Sequence, residues 1–265
     1  MSESLADKIV WITGASSGIG EAVAAEYARY GARLVLSARR ESELQRVRGQ
    51  LVNADEHLVL PLDLSDEPAM PAAVAAVLER FGRIDQVVHN GGISQRALAR
   101  DTTLAVDRRL MEVNYFGTVA LTKAVLPVFR QQRGGRFVVV TSLVGEIPTP
   151  KRSAYSASKH ALHGFFEALR AEEYGDGIRV TLVLPGFIRT NLTYHALLGD
   201  GSEQNSLDDA QANGMSPMKC ARQLVEAVQR GRDQVIIAGP EGWGVYLKRW
   251  LPALYRRVIR KVKVT

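Results

Sequence analysis

The sequence predicts a single α/β domain: a seven-stranded parallel sheet with helices on both faces. Three observations carry that prediction. Seven short runs rich in Val, Ile and Leu recur along the chain, stretches of helical patterning separate them, and a length of 265 residues suits one large core. A hydrophobic fraction of 46% and a charged fraction of 23% are ordinary for a globular chain and exclude a disordered one.

The strand-like runs are Lys8–Thr13, Arg33–Ser37, Leu58–Leu62, Ile84–His89, Arg136–Thr141, Arg179–Leu184 and Gln234–Ala238. They do not alternate clearly between apolar and polar residues, which is how strands buried on both faces read. Helical stretches fall between them, at Gly20–Tyr30, Met70–Phe81, Leu104–Gln131 and Tyr155–Tyr174. One stretch, Thr193–Pro217, breaks the rhythm with Gly199, Asp200, Gly201, Ser202, Asn205 and Gly214. An aperiodic insertion after a strand's C-terminal end is expected to be a mobile lid over a ligand. Residues 1–240 are expected to form the body and 241–265 a tail.

The net charge of +6 resides in that tail, where Lys248, Arg249, Arg256, Arg257, Arg260, Lys261 and Lys263 face one acid, Glu241. The body is neutral, which argues against a nucleic-acid-binding face. Within the tail, Tyr246, Leu247, Trp250, Leu251, Leu254, Val258 and Ile259 give an amphipathic pattern interrupted near Pro252. Residues 243–263 therefore suit either an anionic membrane surface or packing on protein. No signal peptide and no membrane-spanning apolar run is visible, and the single cysteine, Cys220, fits a reducing compartment. The expected location is cytoplasmic, or peripheral to a membrane.

The first run ends in Thr13-Gly14-Ala15-Ser16-Ser17-Gly18-Ile19-Gly20 and opens a helix. Glycines there permit a tight turn and close approach of a pyrophosphate, and the helix N-terminus offers N–H groups to it, as in a Rossmann dinucleotide site. Alone, such a turn is weak evidence, since a purely structural turn reads the same way; its place after the first strand and at the start of a helix is what gives it weight. The second run ends in Ser37-Ala38-Arg39-Arg40, without the acid that would bind a free ribose 2′-hydroxyl. Arg39 and Arg40 suit a 2′-phosphate, which favours NADP(H) over NAD(H), although Ser17 stands where many NADP-dependent proteins carry a basic residue.

Tyr155 and Lys159 are four residues apart and share a helical face. Ser142 just follows the fifth run, and Asn114 lies within Leu104–Gln131. Carbonyl reduction needs hydride at carbon and a proton at oxygen. A free tyrosine is only about 0.1% ionised at pH 7. A lysine cation beside it would stabilise the phenolate, and a serine hydroxyl can polarise the substrate oxygen. A lone Tyr is usually packing and a lone Lys usually solvated; the combination is what points to chemistry.

In order and spacing, Thr13–Gly20, Asn90-Gly91-Gly92, Asn114, Ser142, Tyr155–Lys159 and Pro185-Gly186 resemble the motif set of the short-chain dehydrogenases/reductases, from about Lys8 to Ala238. The resemblance implies Tyr155 as acid/base, Lys159 on the nicotinamide ribose and tuning Tyr155, Ser142 orienting substrate, and Asn114 holding a proton-relay water. It implies further cofactor contacts at Gly14, Ser16, Ser17, Gly18, Ile19 and Gly20. Asp63 and Leu64 would lie at the adenine, Asn90 and Gly91 beside the fourth strand, and Pro185, Gly186, Ile188 and Thr190 near the carboxamide. The pattern departs at His89-Asn90-Gly91-Gly92, where the family commonly has Asn-Asn-Ala-Gly; His89 is expected to face the body of the sheet. His89–Arg96 and Tyr155–Phe166 look like the branch of the member 7 enzymes and, more distantly, of 11β-hydroxysteroid dehydrogenase. That branch handles lipophilic carbonyls and includes many membrane-attached members.

The expected function is reversible NADP(H)-linked interconversion of a small, lipophilic alcohol and its ketone or aldehyde, in a homodimer or homotetramer. An epimerase or dehydratase on the same scaffold is a rival, although the spacing Gly14-x3-Gly18-x-Gly20 speaks against the usual extended relatives. A catalytically idle NADP-binding or membrane-associated scaffold is another, and the complete Asn114, Ser142, Tyr155 and Lys159 set opposes it. His160 and His163 stand one turn apart, but with no nearby carboxylate or cysteine in sequence no metal is expected. Cys220 reads as packing.

Overall fold

The computed structural model describes residues 4–206, 208–260 and 262. Leu207 of the aperiodic stretch and Lys261 and Lys263 of the basic tail lie outside the described residues. Seven strands form one parallel sheet: β1 (Ile9–Thr13), β2 (Arg33–Ser37), β3 (Leu58–Val59), β4 (Gln86–His89), β5 (Gly135–Val140), β6 (Ile178–Pro185) and β7 (Gln234–Ile237). Their order is β3-β2-β1-β4-β5-β6-β7. Helices α1 (Gly18–Arg29), α2 (Glu41–Gln50), α3 (Met70–Phe81), α4 (Leu104–Met111), α5 (Gly117–Gln132), α6 (Leu143–Glu146), α7 (Ser153–Glu172), α8 (Asp209–Ala212), α9 (Pro217–Gln229), α10 (Trp243–Trp250) and α11 (Pro252–Ile259) complete it.

The continuous apolar runs follow from burial of both sheet faces. On β1, Val10 and Ile12 point into a core with Val23, Tyr27, Leu224 and Val228 of α1 and α9. Ile9 and Trp11 point the other way, into a core with Val74, Leu121, Phe129 and Phe166 of α3, α5 and α7. Each such residue contributes about 1.5–3 kcal/mol when fully buried. His89 lies in the second core, as expected: it is stacked 5.7 Å from Phe137 and bonded at 2.9 Å to Thr122 Oγ1. Burial pushes its pKa down to about 3.

Three details differ from the sequence reading. β3 is two residues long and lies at an edge of the sheet, paired with β2; beyond it, Leu60 and Leu62 still donate backbone bonds to Leu36 and Ala38. The expected helix Leu104–Gln131 is split by a π-helical turn, Glu112–Phe116, centred on Asn114. Both sides of the Asn114 amide are held by the Ile93 backbone, at 2.8 and 3.0 Å, and such clamped bulges recur at functional sites. A carboxylate does stand beside the histidine pair: Glu146 lies 3.1 Å from His163 Nδ1. No group of three metal-ligating side chains occurs among the described residues. Cys220 is fully buried and its thiol is pushed up to about 12, which makes it inert packing.

The chain runs outward from β1 to β2 and β3, then returns to place β4 on the other side of β1. That reversal opens a crevice at the C-terminal ends of β1 and β4, where open α/β sheets bind ligands.

Candidate active site

The turn after β1 sits at this crevice. Gly14 has φ +65°, and a Cβ there would stand 2.8 Å from the Gly91 Cα. At Gly20 a Cβ would stand 2.1 Å from the Gly14 carbonyl oxygen. Side chains are thus excluded where the turn folds over α1. Ser17, the residue before α1, is extended and makes no side-chain cap, so the first-turn N–H groups stay available for an anion. Ser16 and Ile19 complete the turn, and Gly18 faces Thr190, whose Cγ2 would lie 3.1 Å from an added Cβ. Asn90 ties β4 to the turn, its amide donating to the Thr13 and Gly14 carbonyls at 3.2 and 3.1 Å, while the Gly91 N–H donates to Thr13 Oγ1. Arg46 of α2, which sequence reading missed, donates to the Ser16 carbonyl at 3.3 Å and to Glu21 at 2.8 Å.

Arg39 and Arg40 are exposed beyond β2. Asp63 is half-buried after β3, and Leu64 is buried beside it. Burial pushes the Asp63 carboxyl up, but two hydrogen bonds from Ser65 and the charges of Arg39 and Arg109 outweigh it and hold it below the usual carboxylate range. Arg39, Arg40 and Asp63 thus form an outlying group apart from the main cavity.

That cavity, of about 690 Å³, lies over the ends of β4, β5 and β6. Its wall brings together Ile19, Asn90, Ser142, Tyr155, Lys159, Pro185, Gly186, Ile188 and Thr190 from across the sequence. Ser142 is the N-cap of α6, its hydroxyl accepting from Val144 N at 3.3 Å. Tyr155 and Lys159 lie on the first turns of α7, with the ammonium 5.9 Å from the phenol ring centroid. Lys159 donates to the Val140 carbonyl at 3.0 Å, and burial lowers its pKa to about 8. Asn114 donates to Ser158 at 3.0 Å, one residue from Lys159.

The Tyr155 phenol is buried, which raises its pKa; Arg152, Arg96 and a hydrogen bond with Ser142 oppose that rise. Both arginines line the cavity, and neither was singled out from sequence. No spacing signals them, because residues 96, 152 and 208 meet only through the fold: Asp208 pairs with Arg96 at 2.7 Å and with Arg152 at 3.4 Å.

The described residues of the stretch 193–217 are tied down more than its composition suggests. Arg96 N donates to the Leu197 carbonyl, Thr103 N to that of Gly199, and Asn205 N to that of Tyr194, while Thr193 and Ala196 are fully buried. The tail folds back over the cavity as α10 and α11, broken at Leu251–Pro252. Lys248 donates to the Glu146 carbonyl and Tyr255 to that of Pro148, so the tail packs on the body. Trp243 and Trp250 rim the cavity yet are each 74% exposed. No helix among the described residues is long and apolar enough to cross a membrane.

Residues 8–198 match the family described as short chain dehydrogenase. The chain is 45% identical to a dehydrogenase/reductase SDR family protein 7-like of Anopheles gambiae, covering 96% of this chain and 82% of that one. It is 43% identical to dehydrogenase/reductase SDR family member 7 of Homo sapiens (94% and 75% covered) and 40% identical to member 7B of Bos taurus (95% and 80%). Among solved structures, a short-chain dehydrogenase from Streptomyces avermitilis superposes with TM-score 0.81 at 29% identity over 96% of both chains. A short chain dehydrogenase/reductase from Burkholderia phymatum in complex with NAD does so with TM-score 0.85 at 23% identity, over 95% of this chain and 96% of that one.

Proposed function

The chain belongs to the short-chain dehydrogenase/reductase family of oxidoreductases, and on that premise we propose that it interconverts a lipophilic alcohol and its ketone or aldehyde, with NADP(H) as cofactor and Tyr155 as general acid and base. The observation that carries this reading is the buried Tyr155 phenol, flanked by Ser142 and Lys159 in a largely apolar cavity that adjoins the glycine turn.

The residues fit a nicotinamide dinucleotide: the turn has no room for side chains at Gly14 and Gly20, and the start of α1 lacks a cap. Gly14, Ser16, Ser17, Gly18, Ile19 and Gly20 would hold the pyrophosphate. Arg39 and Arg40 would take the 2′-phosphate, with Asp63 and Leu64 at the adenine. Asn90 and Gly91 would flank the nicotinamide half, Tyr155 and Lys159 its ribose, and Pro185, Gly186, Ile188 and Thr190 its carboxamide. When bound, the cofactor supplies the hydride to the carbonyl carbon, or accepts it in reverse.

Ser142 donates a hydrogen bond to the substrate oxygen and fixes it beside the phenol. Tyr155 then gives its proton to that oxygen, and burial, by keeping the phenol protonated, suits it to reduction. Lys159 holds a positive charge against the developing phenolate. Asn114, anchored by Ile93, would keep a water beside Lys159 through which the proton is replaced. The stretch 193–217, from which Gln211 lines the cavity, would act as the lid that excludes water. The exposed tryptophans and Arg249, Arg256 and Arg257 of α10 and α11 would rest on an anionic bilayer from which the substrate enters.

The test is consumption of NADPH and of NADH by the purified protein with a panel of steroid, retinal and small-chain ketones. Turnover with NADPH and an apolar ketone, lost in Tyr155→Phe, supports the reading; binding of cofactor with no turnover of any carbonyl would leave a scaffold.

A further inference from the structure

Three charged side chains sit beside the catalytic tyrosine where a largely apolar wall would be the simpler choice. Arg96 and Arg152 are each 6% exposed and Asp208 5%, so the group is almost wholly removed from solvent. Its charges do not cancel. Asp208 Oδ2 accepts from Arg96 Nε at 2.7 Å and from Arg152 Nη2 at 3.4 Å, while its other oxygen is taken by Gln204 at 3.1 Å. Among the described side chains, one carboxylate between two guanidiniums leaves a buried unit of positive charge, which is costly without a further anionic partner.

The two arginines are not equivalent. Arg96 uses four of its five N–H donors: besides Asp208 it donates to Ser94 Oγ, the Gln95 carbonyl and Thr193 Oγ1. Among the described residues Arg152 has only the long hydrogen bond to Asp208, and its Nε is buried with no hydrogen-bond partner there. Its guanidinium carbon lies 5.8 Å from the Phe187 ring centroid, and both residues line the cavity. Thr149, also on the cavity wall, has a buried hydroxyl without a partner. A fork of donors and a spare hydroxyl thus line the same cavity as the apolar Leu247, Trp250 and Leu251 of the tail.

We propose that Arg152 anchors an oxyanionic group of the substrate, a carboxylate or a phosphate ester, so that the ketone reduced here is an amphiphile with its anionic end beside Tyr155 and its apolar remainder along α10 and α11. The planar guanidinium takes such a group through two parallel bonds. Desolvation strengthens that contact, and Arg96 holds Asp208 so that Arg152 stays available. Burial and the charge of Arg96 lower the Arg152 pKa, but only to about 10, so the guanidinium remains charged at neutral pH. This inference rests on the reading of the cavity as the substrate site.

The test compares ligands with one tail and three heads: dodecanoate, dodecyl phosphate and dodecanol, titrated by tryptophan fluorescence into the full chain saturated with NADPH. At least one anion should bind roughly 10- to 100-fold tighter than the alcohol, the range expected for a charge-assisted contact, and which anion does so identifies the head group. Arg152→Gln should erase the preference and Arg152→Lys, which keeps the charge without the fork, should retain part of it. Dodecanol binding as tightly as both anions would overturn the inference, as would a preference that survives Arg152→Gln and so belongs to the basic tail. Should Arg152→Gln fail to fold, the wild-type difference and the Arg152→Lys variant decide. Turnover of a twelve-carbon keto acid and its methyl ester separates this inference from the activity it rests on. Anion-selective binding without turnover of either sinks the enzymatic reading alone, whereas turnover favouring the ester sinks the anionic anchor alone.

Discussion

The Lys159 ammonium stands 5.9 Å from the centre of the Tyr155 ring while donating a 3.0 Å hydrogen bond to the Val140 carbonyl at the end of β5. One helical turn and one strand end therefore fix a cation beside a phenol. The ring of Tyr155 also packs with Val106, Leu110 and Val144, so its bulk and its proton serve separate ends. Tyr155→Phe keeps the packing and removes the proton. Turnover should fall by about 10²–10⁴-fold, the usual value of a positioned acid, with the Kd for NADPH nearly unchanged. Retention of most of kcat in the variant would remove Tyr155 from the chemistry.

The pH dependence follows from the same pair. Burial and the weaker opposing effects of Arg152, Arg96 and Ser142 leave the phenol above its ordinary value, so it stays protonated through neutrality. Lys159 loses its charge as pH rises through about 8. Ketone reduction should accordingly hold steady below that value and decline above it, while alcohol oxidation, which needs the phenolate, should rise with pH. Profiles of kcat/KM in both directions check this. Lys159→Gln should abolish the limb near pH 8, and a limb unchanged in that variant belongs to another group.

Cofactor preference should lie in the exposed pair after β2. Arg39→Ala, or Ala38→Asp, is expected to raise the KM for NADPH about tenfold to hundredfold and to affect NADH far less, since charge-assisted bonds to phosphate are worth about 1.5–3 kcal/mol each. The charge of Arg39 also helps lower the Asp63 carboxyl, so Arg39→Ala should let the Asp63 pKa drift back up. Equal losses for both cofactors would show that the 2′-phosphate is read elsewhere.

The sheet was legible because both of its faces are buried, so β1 reads as an unbroken apolar run whose residues enter two cores. The glycine turn and the Tyr155–Lys159 pair were legible because each depends on local spacing. Arg96, Arg152 and Asp208 were not, since their meeting depends on a loop, a helix start and a second loop that only the tertiary fold joins. Glu146 escaped notice beside His163 for the same reason. The π-helical turn at Asn114 was hidden too, because the Ile93 backbone that holds the Asn114 amide lies twenty-one residues away.

His89 gives a test of stability. Its ring is sandwiched near Phe137 and Phe166, and burial lowers its pKa to about 3, against about 6.5 in an unfolded chain. As pH falls below about 6.5 the unfolded state takes up a proton that the folded state refuses, so stability is lost progressively toward pH 3. His89→Leu removes this contribution, and Thr122 keeps its bond to the Thr118 carbonyl. Between pH 7 and 5 the Tm of the variant should fall less than that of the wild type. His57 and His163, also lowered by burial, should leave a residual slope. Parallel melting curves for the two proteins would remove His89 from this account.

The tail combines two roles that one truncation would confuse. Its inner side closes the cavity through Leu247 and Tyr255 and is bonded to the segment Glu146–Pro148. Its outer side exposes Trp243, Trp250 and Leu254 beside Arg249, Arg256 and Arg257. Removing residues 243–265 should therefore abolish vesicle binding and also cost activity on apolar ketones. Trp243→Ser with Trp250→Ser alters the outer rim and leaves the bonds to Glu146 and Pro148 in place. Each basic residue near an anionic bilayer contributes about 1 kcal/mol, and the buried rings add binding that salt does not screen. Co-sedimentation of wild type with phosphatidylserine vesicles should weaken at high salt without vanishing, whereas the double variant should lose the salt-resistant part. A wild type that ignores vesicles at low salt would make the tail a wall of the cavity and nothing more.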